Sequence, residues 1–359
     1  MPLPPSAANS CAANLAAQPV AHFGSDAAPL RFELPFQPPY DWPWVLAFLA
    51  RRMIAGVEWV GPDDYSRVVR LPTPQGWAIG HIDVRPCPGR AALQITLSHS
   101  LAGVQAEVLT RVRRLLDLDC APDQVNAVLG PLSADAPGVR VPGAFDGFEM
   151  AVRGVLGQQV TVKAAHTLAG RLAMRFGDGA GEPQWQGAAT PATPATKARA
   201  SRSTATAPGP HPVPAPLSRA FPDAARLAAL PLDELAACGL VRARAAAIQA
   251  IARAILDDGL VLAPAAPLEA SLAQLKRLRG IGDWTAQYIA MRALSWPDAF
   301  PASDLILMRV LGARTPAQAS ATAQAWRPWR SYAVMHLWRR SASPPALPAD
   351  RPPGPAPAR

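Results

Sequence analysis

The spacing of apolar residues divides this chain into two structured regions. Trp42, Trp44, Val45, Phe48 and Leu49 share one helical face, and Arg51 and Arg52 follow them. Beyond this helix, residues 68–71, 77–84 and 92–98 are short β-rich runs separated by Pro and Gly turns. His81, Asp83, Gln94 and Thr96 alternate there with apolar neighbours, as in strands with one buried face. An amphipathic helix around 107–118 should cover the sheet. Residues 34–119 therefore read as an α+β domain with a small antiparallel sheet.

From Pro122 the period becomes helical. Helices are predicted over 124–129, 144–156, 160–176, 223–230, 232–237, 241–256, 268–278, 284–294, 303–311, 317–325 and 329–339. Gly157 and Gly239 separate neighbouring pairs. Residues 120–340 form an all-α region built by helix packing. The fold class is α+β, with the sheet first and the helices after it.

Three segments lack periodicity. Residues 1–33 are rich in Ala, Pro and Ser, residues 179–217 in Pro, Ala, Thr and Ser, and residues 341–359 in Pro. Such composition buries too little apolar surface to offset the entropy of ordering. The two ends read as disordered tails, and 179–217 as a flexible insertion carrying Lys197, Arg199 and Arg202.

Composition narrows the classes. The chain has 359 residues, half of them apolar, with a formal net charge of +9. That charge suits a polyanion, either nucleic acid or an anionic surface, though an Arg-rich, Ala-rich composition produces it without any partner. Cys11, Cys87, Cys120 and Cys238 share no close spacing, so neither a zinc site, an iron–sulfur cluster nor a disulfide framework is suggested. No apolar run reaches the length of about 18 residues that a membrane helix needs. The start, MPLPPSAANS, is a poor signal peptide. A cytoplasmic monomer is expected.

The chemistry concentrates in residues 275–309, LKRLRGIGDWTAQYIAMRALSWPDAFPASDLILMR. Leu272, Leu275 and Leu278 close one helix, and Asp283 opens a second that carries Trp284, Thr285 and Tyr288. Between them, Arg279-Gly280-Ile281-Gly282 is a tight turn flanked by Lys276 and Arg277. A glycine turn feeding a helix N-terminus presents unpaired amides to a phosphate. A bare G-x-G is more often an ordinary helix hairpin. The basic residues before it and the isolated acid Asp304 after it favour the phosphate reading. Ser303 can cap the helix that Asp304 enters, and a carboxylate there is stabilised by the helix N-terminus.

This segment resembles the helix-hairpin-helix and Gly/Pro-rich-loop-and-Asp motif of the DNA glycosylase superfamily. Within that superfamily the chain resembles the bacterial 3-methyladenine DNA glycosylase II enzymes. PPYDWPWVLAFLARR, PGAFDGFEMAVRGVLGQQVTV and WRPWRSYAVMHLW match them in the same order, so the likeness runs from Phe36 to Trp338 outside the insertion.

The resemblance implies site residues. Asp304 matches the catalytic acid, which stabilises an oxocarbenium-like sugar and can orient water. Trp284, Tyr288, Trp338, Phe48 and Leu305 match the pocket for a flipped base, where aromatic faces favour a cationic alkylpurine. Leu305 stands where the family has tyrosine. Gln158 and Gln159 match the minor-groove wedge, with glutamine at 159 where the family has leucine. Arg279, Gly280, Ile281, Gly282, Asp283 and Thr285 would hold DNA. A monovalent cation on the backbone carbonyls of Lys276, Leu278 and Ile281 is implied as well, and no organic cofactor. Glycosylase/lyases of the superfamily carry lysine where this chain has Trp284, so a monofunctional hydrolase is expected.

The expected function is excision of alkylated bases, 3-methyladenine first, from double-stranded DNA. The alternatives are a related glycosylase for oxidised, deaminated or mismatched bases, and a non-catalytic helix-hairpin-helix DNA-binding protein. Binding alone would need neither Asp304 nor an aromatic pocket.

Overall fold

The computed structural model describes residues 18–19, 29–74, 76–180 and 217–342. Tail residues 1–17, 20–28 and 343–359 and insertion residues 181–216 lie outside them, and with them the expectation that they are disordered. Among the described residues the sheet has six strands: β1 (Gln18–Pro19), β2 (Leu30–Pro35), β3 (Glu58–Val60), β4 (Tyr65–Thr73), β5 (Gly76–Pro86) and β6 (Ala92–Leu97). All pairings are antiparallel, in the order β1-β2-β6-β5-β4-β3.

Two strands of the described chain fall where the sequence reading places the N-terminal tail. β2 begins at Leu30 and pairs with β6 from Leu30↔Leu97 to Pro35↔Ala92. Its Phe32 and Leu34 are buried while Arg31 is exposed. This alternation is present in the sequence but lies against a Pro/Ala-rich background. β1 pairs with β2 at Gln18↔Glu33. β3 is too short for periodicity to reveal.

Helix α1 (Trp42–Ala50) starts at Asp41, whose carboxylate accepts the Trp44 amide at 3.0 Å. Its Val45, Leu46, Phe48 and Leu49 enter the same core as Leu34, Ile82, Val84 and Ile95 of the sheet. Each such aliphatic side chain contributes roughly 1.5–3 kcal/mol on full burial. Helix α2 (Gln105–Leu115) adds Val108, Leu109, Val112 and Leu115.

The remaining helices are α3 (Pro122–Leu129), α4 (Gly147–Leu156), α5 (Val162–Phe176), α6 (Ala224–Ala229), α7 (Leu232–Ala236), α8 (Arg242–Leu256), α9 (Leu268–Arg277), α10 (Asp283–Arg292), α11 (Leu305–Val310), α12 (Pro316–Thr322) and α13 (Arg330–Ala342). The expected helix over 317–325 ends at Thr322 and tightens into a 3-10 turn, Ala323–Trp326. α4 is central and packs on α5, α8 and α10. Gly154 faces α10: a β-carbon there would stand in ordinary contact, 3.4 Å from the Tyr288 ring and 3.5 Å from Thr285.

A buried ionic quartet joins the sheet to α4. Arg67 of β4 reaches Glu149 at 2.7 Å, and Arg153 reaches Glu58 of β3 at 2.6 Å and Glu149 at 2.5 Å. Glu58 also accepts the Tyr65 hydroxyl at 2.8 Å and the Ile54 amide at 3.0 Å. Burial pushes the Glu58 carboxyl up, but Arg153 and Arg67 outweigh it and hold it at about 2. Arg153 also donates to the Arg52 carbonyl at 2.7 Å, fixing the end of α1 against α4.

Candidate active site

Asp304 is the N-cap of α11, one residue later than the cap expected at Ser303. Its Oδ1 accepts the amides of Ile306 at 3.0 Å and Leu307 at 2.9 Å. Two indoles complete its shell: Trp284 Nε1 donates to Oδ2 at 2.9 Å, and Trp338 Nε1 to Oδ1 at 3.3 Å. Only 9% of Asp304 is exposed. A carboxylate only accepts hydrogen bonds, so these four donors, two of them first-turn amides of α11, satisfy it and fix the plane of the group.

The indoles also form aromatic walls. Trp284 stacks on Tyr288 with centroids 5.3 Å apart and planes 8° apart. Tyr288 faces Trp338 at 6.5 Å and 42°. Trp284 and Trp338 are half-buried, so part of each ring faces outward, while Tyr288 and Phe48 are buried. Phe48 comes from α1 and joins through two arginines. The Arg52 guanidinium lies 3.8 Å over Phe48 and 5.8 Å from Trp338. Arg292 lies 4.9 Å from Phe48 and 5.7 Å from Tyr288. Asp304, Trp284, Tyr288, Trp338 and Phe48 are thus brought together.

Leu305 is not brought into that cluster. It is 77% exposed, on the outer side of the first turn after Asp304. Ile306, next to it, is 39% exposed.

Arg52 and Arg292 escape the sequence reading as site residues. Arg292 lies four residues after Tyr288 and eight after Trp284, so helical spacing could have flagged it. Arg52 lies four after Phe48. Burial draws the Arg52 guanidinium down to about 10. Burial also pushes the Tyr288 hydroxyl up, but Arg292, Arg52 and Arg153 more than offset this and hold it below the usual tyrosine range. Arg292 donates to the Tyr288 hydroxyl at 3.1 Å.

The hairpin joins α9 to α10. Gly280 has φ +91°, a conformation that favours glycine, and a β-carbon there would come within 3.0 Å of Ala247. Gly282 is different: a β-carbon there would meet no protein atom within 4 Å. Its outer face, leading into the first turn of α10, is open. Arg277 and Arg279 are exposed beside it. Ile281 is buried, so it can offer a ligand only its backbone. Lys276 does not point free; its Nζ lies 2.5 Å from Asp283 Oδ1 across the turn.

Two residues expected at DNA are engaged within the protein. The Thr285 side chain is buried, and its hydroxyl accepts Gln158 Nε2 at 2.8 Å. The same nitrogen donates to the Gly280 carbonyl at 2.8 Å. Gln159 is exposed, with φ +53°.

Known proteins share this arrangement of domains and motifs. The AlkA N-terminal domain family matches residues 31–146, and the HhH-GPD superfamily of base excision DNA repair proteins matches residues 152–327. Over 308 residues the chain is 35% identical to DNA-3-methyladenine glycosylase 2 of Escherichia coli (strain K12), covering 86% of this chain and 96% of that one. The chain belongs to the HhH-GPD superfamily of base excision DNA repair proteins. A second superfamily relative is a probable bifunctional transcriptional activator/DNA repair enzyme of Mycobacterium tuberculosis. It is 34% identical over 339 residues, covering 90% of this chain and 60% of that longer protein. Among solved structures, a 3-methyladenine DNA-glycosylase from Archaeoglobus fulgidus shares the fold, with a TM-score of 0.67 at 16% identity, covering 86% of this chain and 98% of that one. The α+β class and the helix-hairpin-helix reading are both borne out. Asp304 and Trp284 fall inside the superfamily match, Phe48 and Arg52 inside the N-terminal one.

Proposed function

We propose that this chain is a monofunctional DNA glycosylase that excises alkylated purines, 3-methyladenine first, from double-stranded DNA. The carrying observation is the Asp304 carboxylate held by two indole N–H groups that belong to its aromatic walls.

The chemistry follows from that geometry. Breaking the bond between a purine and deoxyribose leaves positive charge on the sugar. A fixed, ionised carboxylate beside the sugar stabilises that charge without reorganising as it develops. Trp284 and Tyr288 offer a stacked face on which a flipped base can lie, and an electron-rich face attracts a cationic alkylpurine. Water completes the reaction and leaves an abasic site. The position that would supply an amine nucleophile is Trp284, and Lys276 is tied to Asp283.

The hairpin supplies sequence-independent grip. The open face at Gly282 and the first-turn amides of α10 suit a phosphate, with Arg277 and Arg279 beside it. Arg279, Gly280, Ile281, Gly282 and Asp283 contribute through backbone and charge. Gln159 serves as the wedge that fills the gap left by the flipped nucleotide. The backbone carbonyls of Lys276, Leu278 and Ile281 also suit a monovalent cation. They are neutral oxygens, those of Lys276 and Leu278 at the C-terminal, electronegative end of α9 and that of Ile281 in the turn beyond it, and the Leu278 carbonyl accepts the Ile281 amide at 3.0 Å. Such a cation would supply positive charge beneath a phosphate.

The test is base release from methylated DNA, with the freed bases separated by chromatography. Wild-type protein should release 3-methyladenine, and Asp304→Asn should release almost none while still binding duplex. More than a few per cent residual release would remove Asp304 from the mechanism. Strand breaks before alkali, or a borohydride-trapped adduct, would remove the monofunctional assignment.

A further inference from the structure

The turn between α4 and α5 touches the hairpin through one side chain. Gln158 Nε2 has two N–H bonds, and both are used: one on the Gly280 carbonyl, one on Thr285 Oγ1, each at 2.8 Å. The orientation of the amide is fixed chemically, since its oxygen could not face the Gly280 carbonyl. On the other side, the Arg244 guanidinium of α8 donates to the Gln158 backbone carbonyl. The residue is therefore held from the hairpin turn, from α10 and from α8.

Its neighbour is held by nothing comparable. Gln159 is exposed and sits in the left-handed region at φ +53°. That conformation is unfavourable for a residue with a β-carbon and persists only where the surroundings impose it. The clamp on Gln158 lies one residue away.

We infer that Gln158 is a positioning residue for base flipping: it clips the wedge turn to the phosphate-binding hairpin, so that Gln159 alone enters the duplex. This rests on the glycosylase reading. The clip sets the distance between the place where the backbone is gripped and the place where the gap is filled. Without it the hairpin still grips, but the wedge no longer arrives in register. Glutamate at 158 would bring a carboxylate against the Gly280 carbonyl, so the role demands an amide.

Gln158→Leu, Thr285→Val and their combination test this, on one hypoxanthine placed either in a paired duplex or in a one-nucleotide bulge. Under single-turnover conditions Gln158→Leu should slow release from the paired duplex about tenfold, because both side-chain hydrogen bonds that clip the turn to the hairpin are lost. Release from the bulge, where the base is already unpaired, should change by less than about twofold, and so should affinity for undamaged duplex. Thr285→Val should act in the same direction, and the double variant should be no worse than Gln158→Leu. Equal slowing on both substrates would show general damage to the site, and a large loss of duplex affinity would show that Gln158 touches DNA itself; either overturns the inference. A 2-aminopurine beside an abasic-site analogue reads gap filling without chemistry. Its emission should fall with wild-type protein and stay high with Gln158→Leu, and identical quenching by both proteins would also overturn it. Wild-type protein that quenches but releases no base would instead count against the glycosylase reading, leaving the clip supported.

Discussion

The indole N–H of Trp284 donates to Asp304 Oδ2 at 2.9 Å, while the same ring stacks on Tyr288 at 5.3 Å. One side chain thus orients the acid and forms a wall for the base. Trp284→Phe separates the two roles, since the wall remains and the donor is lost. A hydrogen bond to a charged group contributes about 1.5–3 kcal/mol. The single-turnover rate should fall roughly ten- to a hundredfold, with duplex affinity nearly unchanged. A rate within about twofold of wild type would show that the two α11 amides and Trp338 hold Asp304 sufficiently.

The open face at Gly282 allows a substitution that separates folding from binding. A β-carbon there meets no protein atom within 4 Å, and the residue's φ of −86° suits any side chain. Gly282→Val should keep its thermal midpoint yet weaken binding to every duplex sequence alike, because a phosphate can no longer approach the backbone. Titrations against two unrelated duplexes check this. Unchanged affinity would show that phosphate does not bind there.

Acid should unfold the protein in two overlapping steps. Burial of His336 lowers its folded-state value from 6.5 to about 4. The unfolded chain then binds the extra proton first, so this stability is present above pH 6.5 and lost as pH falls toward 4. Glu58 is also depressed in the folded state, from 4.5 to about 2. Its contribution is present above pH 4.5 and lost on the way to 2, and each group is worth on the order of 3 kcal/mol. Burial lifts the Asp117 carboxyl from 3.8 to about 6, which opposes this loss at lower pH, so urea midpoints measured between pH 7 and pH 4 should fall first above about pH 6. His336→Gln should flatten that upper part of the curve. If the variant and wild type lose stability in parallel there, His336 is not the group responsible.

The insertion leaves and rejoins the fold at one place. Gly179 bridges Arg219, Ala180 donates to the Ser218 carbonyl at 2.8 Å, and Ala220 to the Asp178 carbonyl at 2.9 Å. Replacing 182–214 by a short turn should shift the thermal midpoint by less than about 2 °C and leave base release unchanged. A large fall in either would show that the segment packs on the protein or on DNA.

The sequence reveals this site unevenly, for physical reasons. Asp304 and the hairpin glycines are legible because caps and tight turns are local, and their residue types follow from backbone geometry. Trp284 and Tyr288 are legible as a shared helix face. Arg52 and Arg292 are legible only in part: helical spacing pairs them with Phe48 and Tyr288, but that the two pairs meet follows from chain-distant helices that come together only in three dimensions. Thr285 illustrates the same limit. It looks like a polar residue at the start of a DNA-facing helix, yet it is buried because Gln158, 127 positions away, supplies its partner. Leu305 follows the acid in sequence yet is exposed while Asp304 is buried, since successive residues of a helix point about 100° apart.

The place of the insertion has an engineering consequence. A chain severed between Ala180 and Leu217 would leave Phe48, Arg52 and Gln158 on one piece and Trp284, Asp304 and Trp338 on the other. Neither piece alone holds both the reactive acid and the full wall for a base. Excision would then report that the two pieces had met, so the insertion marks where this enzyme could be turned into a split reporter of association.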